Sequence, residues 1–224
     1  KISKDITLYF FKNTYYLLIE NADTNTLYTK SLIFTANKMN VLQNVDFESM
    51  AGYQTQDMYN ILIKNHYIPD NFFDETAKYF HKIIETDLET FDGVMETFER
   101  LKSKNINMVI ASNSDFDYVK NISDKKGISK YIKGYSCHNE KLKAKPEPDL
   151  FINAFEILKN LNPNLNKENV LIFEDSLAGV EGAKKTGIKI AAITNSYNKE
   201  ELLEKGADII LNKINQIFDY ITID

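Results

Sequence analysis

The pattern of apolar and polar positions divides the chain into a helical block and a region in which strands and helices alternate. Between residues 31 and 90, apolar residues recur at spacings of three and four, which predicts helices rather than strands. From residue 93 to residue 212, short apolar runs alternate with amphipathic segments, which predicts a mostly parallel, doubly wound sheet. We therefore predict an α/β, Rossmann-like core domain over residues 1–28 and 90–224, with a helical cap domain inserted at residues 29–89.

The start of the chain is rich in residues that favour strands. Residues 6–20 contain two such runs, joined by Lys12 and Asn13. This pattern fits either a hairpin or a lead-in segment followed by the first strand of the core.

Residues 170–194 carry the most informative pattern. An apolar run from Val170 to Phe173 leads into two adjacent carboxylates, Glu174 and Asp175. A helix-compatible segment follows, ends at Gly187 and precedes a second apolar run, so that the whole predicts a strand–helix–strand unit. Open α/β sheets bind ligands at the C-terminal ends of their strands, and paired carboxylates there suit Mg²⁺. The alternative is that both carboxylates only stabilise the N-terminus of the following helix.

Other polar residues follow predicted strands or precede helices. Ser112 and Asn113 come directly after the apolar run at 108–111. Lys145 lies in the segment KAKPEPDLF, whose prolines predict an extended or turn entry, and Asp149 is placed to cap the helix that follows. A hydroxyl, an ammonium and two carboxylates at one sheet edge would make a site for phosphate and Mg²⁺.

Composition narrows the possible partners and compartments. The net charge of −5 and the pI near 5.4, without a basic stripe, argue against nucleic-acid binding. The single cysteine excludes an internal disulfide and is typical of a reducing compartment. No apolar run approaches the ~20 residues needed to span a bilayer, and the first residues do not read as a signal peptide. We therefore expect a cytoplasmic protein that binds neither nucleic acid nor membrane, with an upstream segment left open because the first residue is not Met.

Four segments together resemble the haloacid dehalogenase superfamily, in the branch with an inserted helical cap that includes β-phosphoglucomutase and related phosphatases. VIASNS resembles its second motif, KAKPEPDLF its third, with Ala144 in place of the usual Gly, and FEDSLAGVEGAKKTG its fourth. AGYQTQDM resembles the cap segment that faces substrate.

This resemblance implies roles for individual residues. It implies a small phosphorylated metabolite as substrate, with Ser112, Asn113 and Lys145 binding its phosphate. It implies a Mg²⁺ ion held by Asp175, Glu174 and the backbone carbonyl of Asp23. The substrate-facing cap positions are then Gly52, Tyr53 and Gln54.

The first motif departs from the family pattern F-D-x-D-G-T-L. An ungapped match aligns it with residues 20–26, so that Asn21 stands at the nucleophile position and Asp23 at the acid/base position. A neutral amide cannot form the aspartyl phosphate, and it removes one negative charge from the metal site. We therefore expect strongly reduced activity and weak or absent Mg²⁺ binding. A one-residue slip would make Glu20 the nucleophile instead, but it would also exchange the faces of the strand.

Two functions follow from these matches. The first is a Mg²⁺-dependent phosphomonoesterase of small phosphorylated metabolites, whose activity is limited by Asn21. The second is a catalytically inactive family member that binds a phosphorylated ligand or a protein partner.

Overall fold

The computed structural model describes residues 15–18, 24–50, 55–87 and 92–220. The chain divides into two compact units, Ala22–Glu89 on the one hand and Lys1–Asn21 with Thr90–Asp224 on the other. No helix among the described residues is both long enough and apolar enough to cross a membrane.

The larger unit contains a six-stranded parallel sheet with the order β3-β2-β1-β4-β5-β6. Its strands are β1 Tyr15–Leu18, β2 Met108–Ser112, β3 Ile132–Cys137, β4 Val170–Glu174, β5 Lys189–Ile193 and β6 Ile209–Leu211. The order reverses direction beside β1, which is the point where doubly wound sheets bind ligands. The predicted doubly wound parallel sheet is confirmed.

Helices connect these strands and cover both faces of the sheet. They are α4 Val94–Ser103, α5 Phe116–Lys125, α6 Asp149–Leu161, α7 Leu177–Lys184 and α8 Lys199–Lys205. Alternate residues of one strand point to opposite faces, so Met108 and Leu171 pack with α4 and α5, whereas Val109 and Val170 pack with α6, α7 and α8. Burial on both faces explains why these strands are continuous apolar runs in the sequence.

Short 3₁₀ helices lie at Ser129–Tyr131, Lys167–Asn169 and Ile214–Asp219. The last of these follows β6. Its side chains Ile214 and Ile217 are buried in the same apolar cluster as Leu101, and this packing holds the short 3₁₀ helix against the core.

The described residues of the smaller unit form helices joined by turns and contain no strand. It contains α1 Thr24–Met39, α2 Thr55–Leu62, α3 Phe72–Asp87 and a 3₁₀ helix at Glu48–Met50. Its own apolar core includes Leu32, Phe47, Met58 and Phe72. The described part of residues 31–90 therefore has the helical character that the three-and-four spacing predicts, although α1 begins several residues earlier than the pattern indicates.

Candidate active site

The ends of β2 and β4, the two strands that flank β1, carry three of the predicted site residues. Ser112 is the last residue of β2, Glu174 is the last residue of β4, and Asp175 follows directly. All three are buried. Parallel strands end at the same edge of their sheet, so the fold brings a hydroxyl and two carboxylates to one edge of the core.

Glu174 is held against the start of α7. It continues the row of β4 side chains that begins with Val170 and faces α6 and α7. Gly179 makes room for it, because a Cβ at that position would overlap the Glu174 carboxyl group. The Ser176 hydroxyl donates to Glu174 Oε1 at 2.7 Å and accepts the Gly179 N–H at 3.0 Å. Ser176 is therefore the cap of α7, and the interpretation of the two carboxylates as simple helix caps is not needed.

Lys145 links the ends of β2 and β4. Its backbone N–H donates to Oδ1 of Asn113 at 2.8 Å, and its ammonium Nζ lies 3.2 Å from Glu174 Oε2. The side chains of this ion pair are 4% and 1% exposed. Lysine and glutamate are rarely buried this fully unless they are paired. An ammonium has three N–H donors and Glu174 accepts one, so Lys145 can also bind a phosphate oxygen.

Asp175 is a second buried carboxylate at this edge of the sheet, next to Glu174. Its Oδ2 accepts a hydrogen bond from the Ser196 hydroxyl at 3.2 Å. Carboxylate oxygens are the ligands that hard divalent cations prefer. Within the described ranges, no group of three or more His, Cys, Asp or Glu side chains could hold a metal ion. A single carboxylate such as Asp175 is compatible with Mg²⁺, since this ion usually keeps several waters and takes other oxygen ligands from substrate phosphates.

Of the three residues predicted to bind phosphate, Ser112 and Asn113 are adjacent in the chain, and Asn113 contacts Lys145 in the fold. Ser112 accepts the Ser114 N–H through its hydroxyl oxygen at 3.2 Å and the His138 N–H through its backbone carbonyl at 3.0 Å. Asn113 has its amide oxygen on the backbone of Lys145, a residue 32 positions later in the chain. No local sequence pattern signals such a contact, so the sequence identifies Asn113 but misses this partner.

Several predicted site residues lie outside the described residues, and their roles stay predictions. They are Glu20, Asn21 and Asp23 in the first motif and Gly52, Tyr53 and Gln54 in the cap segment.

The prediction that Asp149 caps α6 is wrong. Pro148 precedes it with φ −79° and ψ −4°, so the helical backbone already begins at the proline and Asp149 lies in the first turn. The Asp149 carboxylate instead accepts the Lys143 N–H at 3.4 Å, and it adds the negative charge that a helix N-terminus favours.

Cys137 is not a second nucleophile at this edge of the sheet. It is the last residue of β3 and is buried. Burial, with a smaller contribution from the charge of Asp115, raises the pKa of its thiol to about 11. The thiol is therefore protonated near neutral pH and lacks the reactivity of a thiolate.

Comparison with known proteins agrees with this fold. The family model for haloacid dehalogenase-like hydrolases matches residues 21–193. A phosphorylated carbohydrates phosphatase from Thermotoga maritima is 29% identical over 156 residues, which are 66% of this chain and 70% of that protein. A β-phosphoglucomutase from Mycobacterium tuberculosis is 21% identical over 146 residues, which are 61% of this chain and only 53% of that protein.

A solved structure has the same fold along most of its length. The haloacid dehalogenase-like family protein from Streptococcus pneumoniae superposes with a TM-score of 0.77 at 17% identity and covers 94% of this chain and 99% of its own. Because the family model spans well over half of the chain and includes β2, Lys145 and β4, the chain belongs to the haloacid dehalogenase-like hydrolase family.

Proposed function

We propose that the chain is a Mg²⁺-dependent phosphomonoesterase for a small phosphorylated metabolite, with turnover strongly reduced by Asn21. The observation that carries the proposal is the buried Lys145–Glu174 ion pair between the ends of β2 and β4. A buried ion pair contributes little net stability compared with apolar side chains of the same size. Its charges are better explained by a ligand that needs a positive group in a dry site.

Each of the four site residues that the structure describes then has its own role. Lys145 neutralises charge on the phosphoryl oxygens, and the Ser112 hydroxyl binds one of them. Asp175 is the carboxylate that would hold Mg²⁺, which polarises the phosphoryl group when it is bound. Glu174 orients the Lys145 ammonium through its direct contact. The buried edge of the sheet lowers the local polarity, so these charges interact more strongly than they would in water.

The segment after β1 is proposed to supply the attacking group and the proton donor. Leu18, at the end of β1, pairs with Ile110, and Leu17 pairs with Ile172, so β1 runs towards the edge that carries Ser112 and Glu174. By the family pattern Asp23 transfers the proton to the leaving group, and Asn21 replaces the nucleophile. A carboxamide lacks the anionic oxygen that forms the covalent phosphoryl intermediate.

The test is steady-state hydrolysis of p-nitrophenyl phosphate and of sugar phosphates with Mg²⁺, by the unmodified chain and by Asn21→Asp. We expect the unmodified chain to be barely above background and Asn21→Asp to be at least ~10²-fold faster, since removal of a nucleophile elsewhere costs ~10⁶-fold. Asn164→Asp, which makes the same chemical change at an exposed position, should leave the rate unchanged.

Two results would contradict this assignment of the first motif. Robust turnover by the unmodified chain that disappears in Glu20→Gln would make Glu20 the nucleophile. Robust turnover that survives Glu20→Gln would place the nucleophile elsewhere in the chain.

The second candidate is binding of a phosphorylated ligand without turnover. The observation that favours it is that the predicted phosphate-binding residues Ser112 and Lys145 are present and buried, whereas the proposed alignment puts Asn21 at the position of the attacking group. Tight binding of a phosphate ester by both proteins, with no hydrolysis by either, would select this candidate.

A further inference from the structure

We propose that Asn113 and Lys185 are positioning residues that clamp the backbone at Lys145 and Pro146 from two sides and thereby aim the Lys145 ammonium. The inference rests on the proposed phosphate-binding role of Lys145 and adds the residues that fix it in place. Neither residue needs to touch phosphate for this role.

The first side of the clamp is Asn113. Its amide oxygen accepts the Lys145 N–H at 2.8 Å, and its own backbone directly follows β2. β2 is buried along its whole length, so this acceptor directly follows a strand that is packed on both faces. The hydrogen bond therefore fixes the point from which the Lys145 side chain starts.

The second side of the clamp is the C-terminal end of α7 together with Lys185, the residue that follows the helix. The Lys185 ammonium donates to the carbonyl oxygen of Pro146 at 2.8 Å. Gly182, three residues earlier, packs against the backbone of Pro146 and Glu147. A Cβ at Gly182 would lie 3.1 Å from the carbonyl oxygens of both residues. The small residue lets the backbone approach α7 closely, and Lys185 ties it there.

The two sides act on adjacent residues, while Glu174 holds the far end of the same lysine. Glu174 itself accepts a hydrogen bond from Ser176 at the start of α7, and Lys185 at the other end of α7 donates to the Pro146 carbonyl. Contacts from the two ends of one helix therefore hold the Lys145 ammonium and the Pro146 carbonyl. A lysine has four side-chain torsions, and fixing both its backbone and its ammonium removes most of its freedom before a ligand arrives. Loss of either contact should therefore weaken phosphate binding by loosening Lys145, and faster exchange of the Lys145 amide distinguishes this effect from the loss of a direct contact between Asn113 and phosphate.

The experiment combines amide hydrogen exchange at Lys145 with binding of inorganic phosphate in the presence of Mg²⁺. The variants are Asn113→Ala and Asn113→Asp, which keeps an acceptor oxygen. The matched control is Asn153→Ala, because Asn153 is also partly buried in the core but donates to Ser136. A second pair compares Lys185→Met with Lys184→Met, since Lys184 precedes it on α7 and lies near Asp208 instead.

We expect Asn113→Ala to speed exchange of the Lys145 amide at least tenfold and to weaken phosphate binding by roughly three- to tenfold, as expected for one net hydrogen bond. Asn113→Asp should restore protection of that amide, and Asn153→Ala should change neither quantity. Lys185→Met should weaken phosphate binding about two- to threefold relative to Lys184→Met, since its ammonium is partly exposed.

The possible failures can be told apart. Unchanged Lys145 exchange in Asn113→Ala, or equal phosphate affinity in Asn113→Ala and Asn153→Ala, would refute the clamp. Absence of phosphate binding by the unmodified chain would refute the proposed function, and in that case a Lys145 amide that still depends on Asn113 would support the clamp by itself.

Discussion

Replacement of Gly179 by alanine tests how the site holds its ion pair. A Cβ at this position would overlap the carboxyl carbon and both oxygens of Glu174, far inside van der Waals contact. Gly179 is buried in the first turn of α7, whose N–H already bonds to Ser176, so the helix cannot easily move away. The Glu174 side chain must therefore leave its place, and it loses Lys145 as it does so.

The cost can be estimated from these contacts. Separation of a buried ion pair that leaves an uncompensated charge costs about 3–5 kcal/mol. Alanine is a better helix former than glycine by about 1 kcal/mol, which offsets part of this loss. We expect a net loss of about 3 kcal/mol in the free energy of unfolding, or about 6–12 °C in Tm for a chain of this size.

The assay is thermal unfolding followed by far-UV circular dichroism, in two backgrounds. In the unmodified chain, Gly179→Ala should lower Tm as calculated. In Glu174→Ala, the carboxyl group is gone and the new methyl fits, so the same change should raise Tm slightly through helix propensity. Equal destabilisation in both backgrounds, or a shift below about 1 °C in the unmodified chain, would refute this account of Gly179.

Three further outcomes are expected. Cys137 should react with iodoacetamide at pH 8 about a hundredfold more slowly in the folded chain than in urea. Burial raises the pKa of its thiol from 9.0 to about 11, and the thiolate fraction falls about tenfold for each pH unit by which the pKa rises. Phe98→Ala should lower the free energy of unfolding by about 3–5 kcal/mol in urea titrations, since Phe98 is fully buried in the core. Asn198→Ala should cost about 1 kcal/mol in the same titrations, because Asn198 and Glu201 form a reciprocal capping box at α8.

The sequence predicts the elements of the core well because they differ strongly in pattern. The apolar runs that form β2 and β4 are buried on both faces, and they stand out from the amphipathic helices beside them. Gly187, which adopts a φ of +73°, ends the segment between β4 and β5 where the sequence predicts a stop. These signals are local, so one sequence is enough to find them.

The partners of the site residues are harder to predict because they depend on strand order. Lys145 contacts Asn113 and Glu174, which lie 32 and 29 positions away along the chain. Periodicity identifies the strands that carry them but does not say which strand ends are neighbours. The error at Asp149 has a local cause, since Pro148 takes a helical backbone and moves the helix start by one residue.

The charges at this edge of the sheet affect the binding of Mg²⁺ and phosphate, whereas turnover also requires a nucleophile. Lys145 and Glu174 form a buried ion pair, and Asp175 adds a second buried carboxylate at the same edge. Under the proposed alignment of the first motif, an aspartate at position 21 would add a negative charge for Mg²⁺ and supply the nucleophile, whereas Asn21 would supply neither. The chain as it stands should therefore bind Mg²⁺ more weakly than Asn21→Asp does, both with and without phosphate. Titration calorimetry of Mg²⁺ into both proteins, with and without phosphate, measures this difference. Equal Mg²⁺ affinity in the two proteins would show that position 21 contributes no ligand, and it would move the first motif away from Asn21.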